Sequence, residues 1–108
     1  MITHKQLETY ALAMPNARLD YPFGKDVAVY KVGDKMFALI PENSDPTRIS
    51  LKCDPQLAIN LRERYETVVP GYHLNKKHWN TIICTGQLSE DEIHDLIVHS
   101  YHLVNDKK

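Results

Sequence analysis

The chain has 108 residues, of which 13 are Lys or Arg and 14 are Asp or Glu, so its formal net charge at pH 7 is −1. Four Gly and six Pro exclude a collagen-like or low-complexity chain. The near-neutral charge counts against a strongly basic nucleic-acid module. Because this length fits one core of its own, we expect a single domain over residues 1–108.

The first half of the chain predicts one helix followed by three strands. A capping box of Thr3 and Gln6 begins the helix, and apolar residues recur at helical spacing until Pro15 ends it. Residues 16–26 are interpreted as a loop. Two β-rich runs joined by a two-residue turn predict a hairpin, and a third run alternates between apolar and polar residues. These strands are expected at residues 27–32, 35–40 and 48–53.

The second half predicts a helix, a strand and a longer helix. Asp54 followed by Pro55 is typical of a helix start, residues 67–78 are interpreted as irregular, and residues 80–85 as a strand. A capping box of Ser89 and Glu92 begins the last helix. Its buried stripe is predicted to comprise Ile93, Leu96, Ile97, Ser100, Tyr101 and Val104. The order α-β-β-β-α-β-α predicts an α+β fold, with helices packed on one face of an antiparallel β-sheet.

The sequence shows no secretion signal and no membrane-spanning segment. The first five residues are polar from Thr3 onward, and the longest apolar run, Met36–Ile40, is far shorter than the roughly 20 residues that a bilayer requires. Cys53 and Cys84 fit neither a redox pair nor a zinc site. We therefore expect a cytoplasmic protein with no membrane partner, whose two thiols are reduced, buried and unreactive.

The densest group of binding-type side chains lies within residues 71–80, directly before a predicted strand. The group comprises His73, Asn75, Lys76, Lys77, His78 and the only tryptophan, Trp79. The two lysines would attract anions, while Trp79 or Tyr72 would offer a face on which a base can stack. The alternative, that these residues have a purely structural role, stays open. Leu74 and Trp79 would then fill the core, while Asn75 would cap a turn.

The segment His73–Trp79, which reads HLNKKHW, resembles the H-L-N-K-x-H-W motif of the MmcQ/YjbR family. Weaker similarities follow in family order at Tyr21–Gly24, Lys35–Ala38, Ser50–Pro55 and Ser100–Tyr101. The resemblance covers residues 3–104. It implies a compact YjbR-like fold, similar to frataxin-like and secretion-chaperone-like folds. It also implies DNA binding of the "double wing" type, and it assigns no catalytic residues.

Charge is distributed unevenly along the chain. Residues 90–108 hold five acids and two bases, a net −3, whereas residues 1–89 are net +2. Lys52 lies on the polar side of its strand, and Arg62 and Arg64 lie on the next helix. If these cations meet Lys76 and Lys77 in space, they form a modest basic face suited to weak, salt-sensitive phosphate contact. The alternative is an ordinary solvated surface.

Catalytic and metal sites are not predicted. Asp95, His99 and His102 share one helical face and are possible metal ligands. However, that face is opposite the apolar stripe, so exposed side chains without a metal are expected. No phosphate-binding loop, nucleophile elbow or zinc-protease motif occurs. A pair of one cysteine with His73 or His78 would lack a third group to orient it. We expect a protein that is not an enzyme and uses no cofactor.

The sequence thus predicts a monomer that binds DNA weakly. The predicted contact residues are Lys52, His73, Asn75, Lys76, Lys77, His78 and Trp79. Two other functions stay open: a protein-interaction or chaperone-like module that uses the same loop, and a small-ligand pocket beneath Trp79.

Overall fold

A computed structural model describes residues 2–71 and 74–105, and it contains a six-stranded sheet and three helices. The elements are α1 (His4–Leu12), β1 (Ala17–Asp20), β2 (Val27–Val32), β3 (Lys35–Pro41), β4 (Arg48–Lys52), α2 (Pro55–Arg64), β5 (Val68–Pro70), β6 (Trp79–Ile83) and α3 (Glu90–Val104). The strand order is β1-β2-β3-β4-β6-β5, and every neighbouring pair is antiparallel. The predicted fold class is therefore confirmed.

Two strands are present that the sequence did not predict, one at each edge of the sheet. Residues 17–20, predicted as loop, pair with β2, and residues 68–70, predicted as irregular, pair with β6. The order along the chain is therefore α-β-β-β-β-α-β-β-α rather than α-β-β-β-α-β-α. β1 has four residues and β5 has three, so each strand is too short to show a periodic pattern of its own in the sequence.

The three predicted helix starts are confirmed by side-chain caps. Thr3 with Gln6 and Ser89 with Glu92 each form a reciprocal capping box. The carboxylate of Asp54 accepts a hydrogen bond from the amide three residues further on. These caps satisfy amide groups that a helix would otherwise leave unpaired at its N-terminus. No helix within the described ranges is long and apolar enough to cross a membrane.

The main core lies between the sheet and the helices. Its largest fully buried side chains are Leu7, Tyr30, Phe37, Ile40, Ile49, Ile82, Ile93 and Ile97. The rings of Phe37 and Tyr101 meet edge to face, with centroids 5.6 Å apart. This arrangement closes one face of the sheet, so a binding surface on the sheet has to lie on its other face.

A buried hydroxyl on α3 joins β3 to β4 where their pairing stops. The two strands share only two residue pairs in register. Beyond them, the Ser100 hydroxyl accepts a hydrogen bond from the Lys52 amide at 2.9 Å and donates one to the Phe37 carbonyl. Ser100 is fully buried. One side chain therefore replaces the ladder hydrogen bonds that the diverging strands can no longer make.

Candidate binding groove on the open face of the sheet

The face of the sheet opposite the helices carries a second apolar cluster. The buried centre of this cluster consists of Val29, Leu39 and Trp79. The register across this face runs through Val29, Leu39, Ser50, Thr81 and Val69, one residue from each of five neighbouring strands. Because side chains alternate between the two faces of a strand, these five project to the same side. We call this side the open face, since none of the three helices packs on it.

A groove of about 740 Å³ crosses the open face, a volume typical of ligand sites. Its floor consists of residues from four strands: Val27, Leu39, Ser50 and Thr81. Its walls come from the loops 21–26 and 42–47 and from Leu74. The two loops are joined by a hydrogen bond of 2.8 Å from the Glu42 amide to the Asp26 carbonyl. Trp79 is not among the lining residues, so the groove lies beside the tryptophan rather than beneath it.

The groove combines an apolar floor with a few polar groups. The hydroxyls of Ser50 and Thr81 are buried and lie 2.8 Å apart, and either of them can be the donor. Arg48 stands at one side of the groove and Asp26 at the other. Phe23 is 60% exposed, more than any other large apolar side chain that the structure describes. An apolar surface with a small number of oriented polar groups is the usual composition of a ligand site.

The cations near the groove differ in whether they are neutralised. At the edge of the sheet, Lys31 and Arg18 contact the Asp20 carboxylate at 3.2 and 3.9 Å. The Tyr21 amide, followed by the Lys31 ammonium group, lowers the pKa of this carboxyl. By contrast, within the described residues no carboxylate pairs with four further cations: Arg48, Lys52, Lys76 and Lys77. These four positive charges are therefore available to a ligand.

The backbone of the turn before β6 is held by a side chain of the turn and by the residue that follows β4. The Asn75 side chain accepts a hydrogen bond from the Lys77 amide at 2.9 Å, as a turn cap does. The His78 carbonyl accepts one from the Cys53 amide at 2.7 Å. The side chains of Lys76 and Lys77 are exposed. His73, which was also predicted as a contact residue, lies outside the described residues.

Trp79 is a packing residue of the open face. It is 7% exposed and packs with Val29 and Leu39, so its ring offers no free surface for stacking. It pairs in register with Lys52, which brings that predicted cation to the end of the turn. The structure thus places Lys52, Lys76 and Lys77 in one region, while Asn75 and Trp79 have structural contacts.

The two arginines of α2 have structural contacts as well. The Arg62 guanidinium donates to the Lys76 carbonyl at 3.0 Å and to the Asn80 side chain at 2.9 Å. The Arg64 guanidinium lies 5.2 Å from the centre of the Tyr65 ring. The hypothesis that both arginines add to the basic face is therefore not supported by their positions.

The cysteines and histidines form no reactive group in the described ranges. Burial raises the pKa of the Cys53 and Cys84 thiols to about 11, so both are protonated at neutral pH and are poor nucleophiles. His99 accepts a hydrogen bond from the Asp54 amide at 3.1 Å, whereas Asp95 and His102 are exposed. No set of three potential metal ligands comes together among the residues that the structure describes.

The replacement of Gly71 by alanine tests how tightly this turn packs. An added Cβ would lie 2.7 Å from the Cβ of Trp79 and 3.2 Å from the Trp79 carbonyl oxygen, so the backbone has to move. We expect Gly71→Ala to lower the free energy of unfolding by about 1–3 kcal/mol, measured by urea denaturation. Gly24→Ala is not a matched control because Gly24 has a φ of +102°. Ala13→Gly, at the exposed end of α1, measures the backbone-entropy effect in the reverse direction, and an unchanged Gly71→Ala variant would contradict the close packing.

Several groove residues were not predicted from the sequence, namely Phe23, Asp26, Arg48, Ser50 and Thr81. The alternation through Arg48, Ser50 and Lys52 did predict that these three share the polar side of one strand. This alternation is the one sequence signal that points to the side of β4 on which the groove lies. It could not show which loops border that side, because this depends on the order of the strands.

The chain is similar in sequence to one protein family and to two named relatives. The YjbR family model matches residues 12–103. "Uncharacterized protein YbdF" of Escherichia coli O157:H7 is 39% identical over 95% of this chain and 84% of its own length. "Uncharacterized protein YjbR" of Escherichia coli K12 is 35% identical over 93% and 85%.

Two solved structures are also similar to this chain, both in fold and in sequence. The crystal structure of the Deinococcus radiodurans protein DR2400, described with the domain DUF419, matches with a TM-score of 0.92 at 37% identity. The match covers 99% of this chain and 81% of that one. A crystal structure from Pseudomonas syringae matches with a TM-score of 0.81 at 33% identity, covering 95% and 99%.

Proposed function

The chain belongs to the YjbR family, and we propose that it binds single-stranded DNA weakly, by holding the phosphate backbone against the open face. The observation that supports this proposal is a set of four cations that no carboxylate neutralises within the described residues. Arg48, Lys52, Lys76 and Lys77 form no ion pairs within the described residues. On the other layer, α3 carries four acids and neither lysine nor arginine. Such a surface attracts phosphates without reading the base sequence.

An unpaired strand suits this surface better than a duplex does. Of these basic residues, Arg48 lines a groove whose walls and floor include apolar side chains, Phe23 among them. The faces of unpaired bases can contact such side chains, whereas bases inside a duplex are already stacked on one another. Since the proposed surface uses four cations, we expect a low affinity that falls steeply with salt.

Removing the two lysines of the turn tests the proposal. We expect the double variant Lys76→Ala, Lys77→Ala to bind a labelled strand of 12 thymidines (dT12) about tenfold more weakly at low salt. The slope of log K against log salt should also become less steep by about 1.4, because each lost phosphate contact to a single strand contributes about 0.7. Fluorescence anisotropy between about 20 and 200 mM NaCl measures both quantities.

A second double variant controls for net charge. Lys5→Ala with Arg64→Ala also removes two positive charges, but both residues lie on the helical layer, so binding should stay within about twofold of the wild type. If neither single-stranded nor duplex DNA binds to the wild-type protein at low salt, the proposal is wrong. A protein partner retained at high salt would instead support the interaction module that the sequence left open.

A further inference from the structure

We infer that the groove receives one unpaired base of the bound strand, with Arg48 against the phosphate of that nucleotide. This inference rests on the proposed function and adds a base-binding site to a surface otherwise argued to contact phosphates. The site lies between Phe23 and the Ser50–Thr81 hydroxyl pair.

The surfaces of the groove match the surfaces of a base. Val27, Leu39 and Leu74 supply an apolar bed, and the ring of Phe23 is 60% exposed at its border. A planar base can therefore lie on the apolar bed and stack on Phe23, in the way that aromatic side chains hold single strands. The volume of about 740 Å³ is sufficient for one nucleotide and falls in the range of small-ligand sites.

The polar groups suit the edge of any base. The Ser50 and Thr81 hydroxyls lie 2.8 Å apart, with either able to donate, and each hydroxyl is both a donor and an acceptor. The Ser50 hydroxyl can therefore meet either a carbonyl or an amino group on the base. We therefore expect contact with a base but little discrimination among the four bases.

The charges fix the direction in which the nucleotide lies. Arg48 belongs to β4 and Asp26 precedes β2, so the two residues are separated by two strand spacings, about 10 Å. A phosphate is attracted to the Arg48 guanidinium and repelled by the Asp26 carboxylate. The nucleotide should consequently place its phosphate at the Arg48 end of β4 and its base over Leu39, between Phe23 and the Ser50 hydroxyl.

Two strands that differ only in their bases test this inference. One is dT12, and the other is a 12-unit strand of abasic deoxyribose with the same number of phosphates. For the wild-type protein we expect dT12 to bind about tenfold more tightly than the abasic strand, the typical effect of one stacked base. Phe23→Ala should remove most of this preference without changing the affinity for the abasic strand.

Two further variants complete the experiment, with fluorescence anisotropy at low salt as the readout. Ile59→Ala removes an exposed apolar side chain from α2 on the other layer and should leave both affinities unchanged. Arg48→Ala should weaken the binding of both strands. Phe23→Ala is expected to fold normally, because the Phe23 side chain is mostly outside the core.

The outcomes separate the two proposals. Equal affinity of the wild-type protein for the two strands would overturn the base-binding site and leave the phosphate-binding function standing. A preference for dT12 that survives Phe23→Ala would also overturn the site, since the base would then be held elsewhere. If neither strand binds, both proposals are overturned.

Discussion

Replacing Trp79 with alanine is expected to lower the free energy of unfolding by about 3–5 kcal/mol. Trp79 is the largest side chain of the cluster on the open face, where it packs against Val29 and Leu39 and is covered by Leu74. Its removal leaves a cavity in addition to the lost burial of an aromatic ring. A typical domain is stable by only about 5–15 kcal/mol, so this single change should remove a large fraction of the total.

Urea denaturation followed by circular dichroism measures this loss, since the variant has no tryptophan left as a fluorescent probe. Trp79→Phe retains an aromatic ring and should lose less. Phe23→Ala removes an exposed aromatic ring and should change stability by less than about 0.5 kcal/mol. A Trp79→Ala variant as stable as Phe23→Ala would show that the tryptophan does not support the fold. We further expect Trp79→Phe to bind dT12 as the wild type does, because the ring does not line the groove.

The variant Ser100→Ala is expected to lose about 2–4 kcal/mol of unfolding free energy, although it removes a single oxygen atom. The Ser100 hydroxyl bonds both the Lys52 amide and the Phe37 carbonyl, and each buried group left unpaired costs about 1–3 kcal/mol. Helix propensity acts in the opposite direction, because alanine favours a helix more than serine does. A measured loss of stability would therefore identify the hydrogen bonds as its cause.

Thr9→Ala is the matched control, since it removes an exposed hydroxyl that bonds the Lys5 carbonyl within α1. That change should stay within about 0.5 kcal/mol of the wild type. Hydrogen exchange gives a second readout, in which the Lys52 amide should exchange faster in Ser100→Ala than in Thr9→Ala. Unchanged stability together with unchanged exchange at Lys52 would contradict the bridging role of Ser100.

Elements with strong local signals were predictable from the sequence. The two capping boxes and the Asp54 cap mark the helix starts because each cap involves residues within one turn of the chain. The strands at the two edges of the sheet were not predictable in the same way. The residues of β1, Ala-Arg-Leu-Asp, have low strand propensity, and they are extended because β2 supplies their hydrogen-bond partners.

The candidate site was predictable only in part, for a related reason. The sequence singled out Lys52, Lys76 and Lys77, which the structure brings to one region through the pairing of Lys52 with Trp79. The groove itself requires β6 to lie between β4 and β5, which places Thr81 beside Ser50. No local pattern encodes this neighbour relation, so the hydroxyl pair and the loop carrying Phe23 could not be assigned to one site in advance.

The position of β6 between β4 and β5 also has a consequence for how fast the chain folds. Ser50 and Thr81 are hydrogen-bonded neighbours separated by 31 positions, whereas β2 and β3 are joined by a tight turn. A hairpin such as β2–β3 closes within about 1–10 μs, but pairing β4 with β6 first requires closing a long loop at an entropic cost. We therefore expect the rate-limiting step of folding to be the docking of β6, together with β5, onto β4. Substitutions that weaken the β4–β6 contact should slow refolding more than equally destabilising ones in β1.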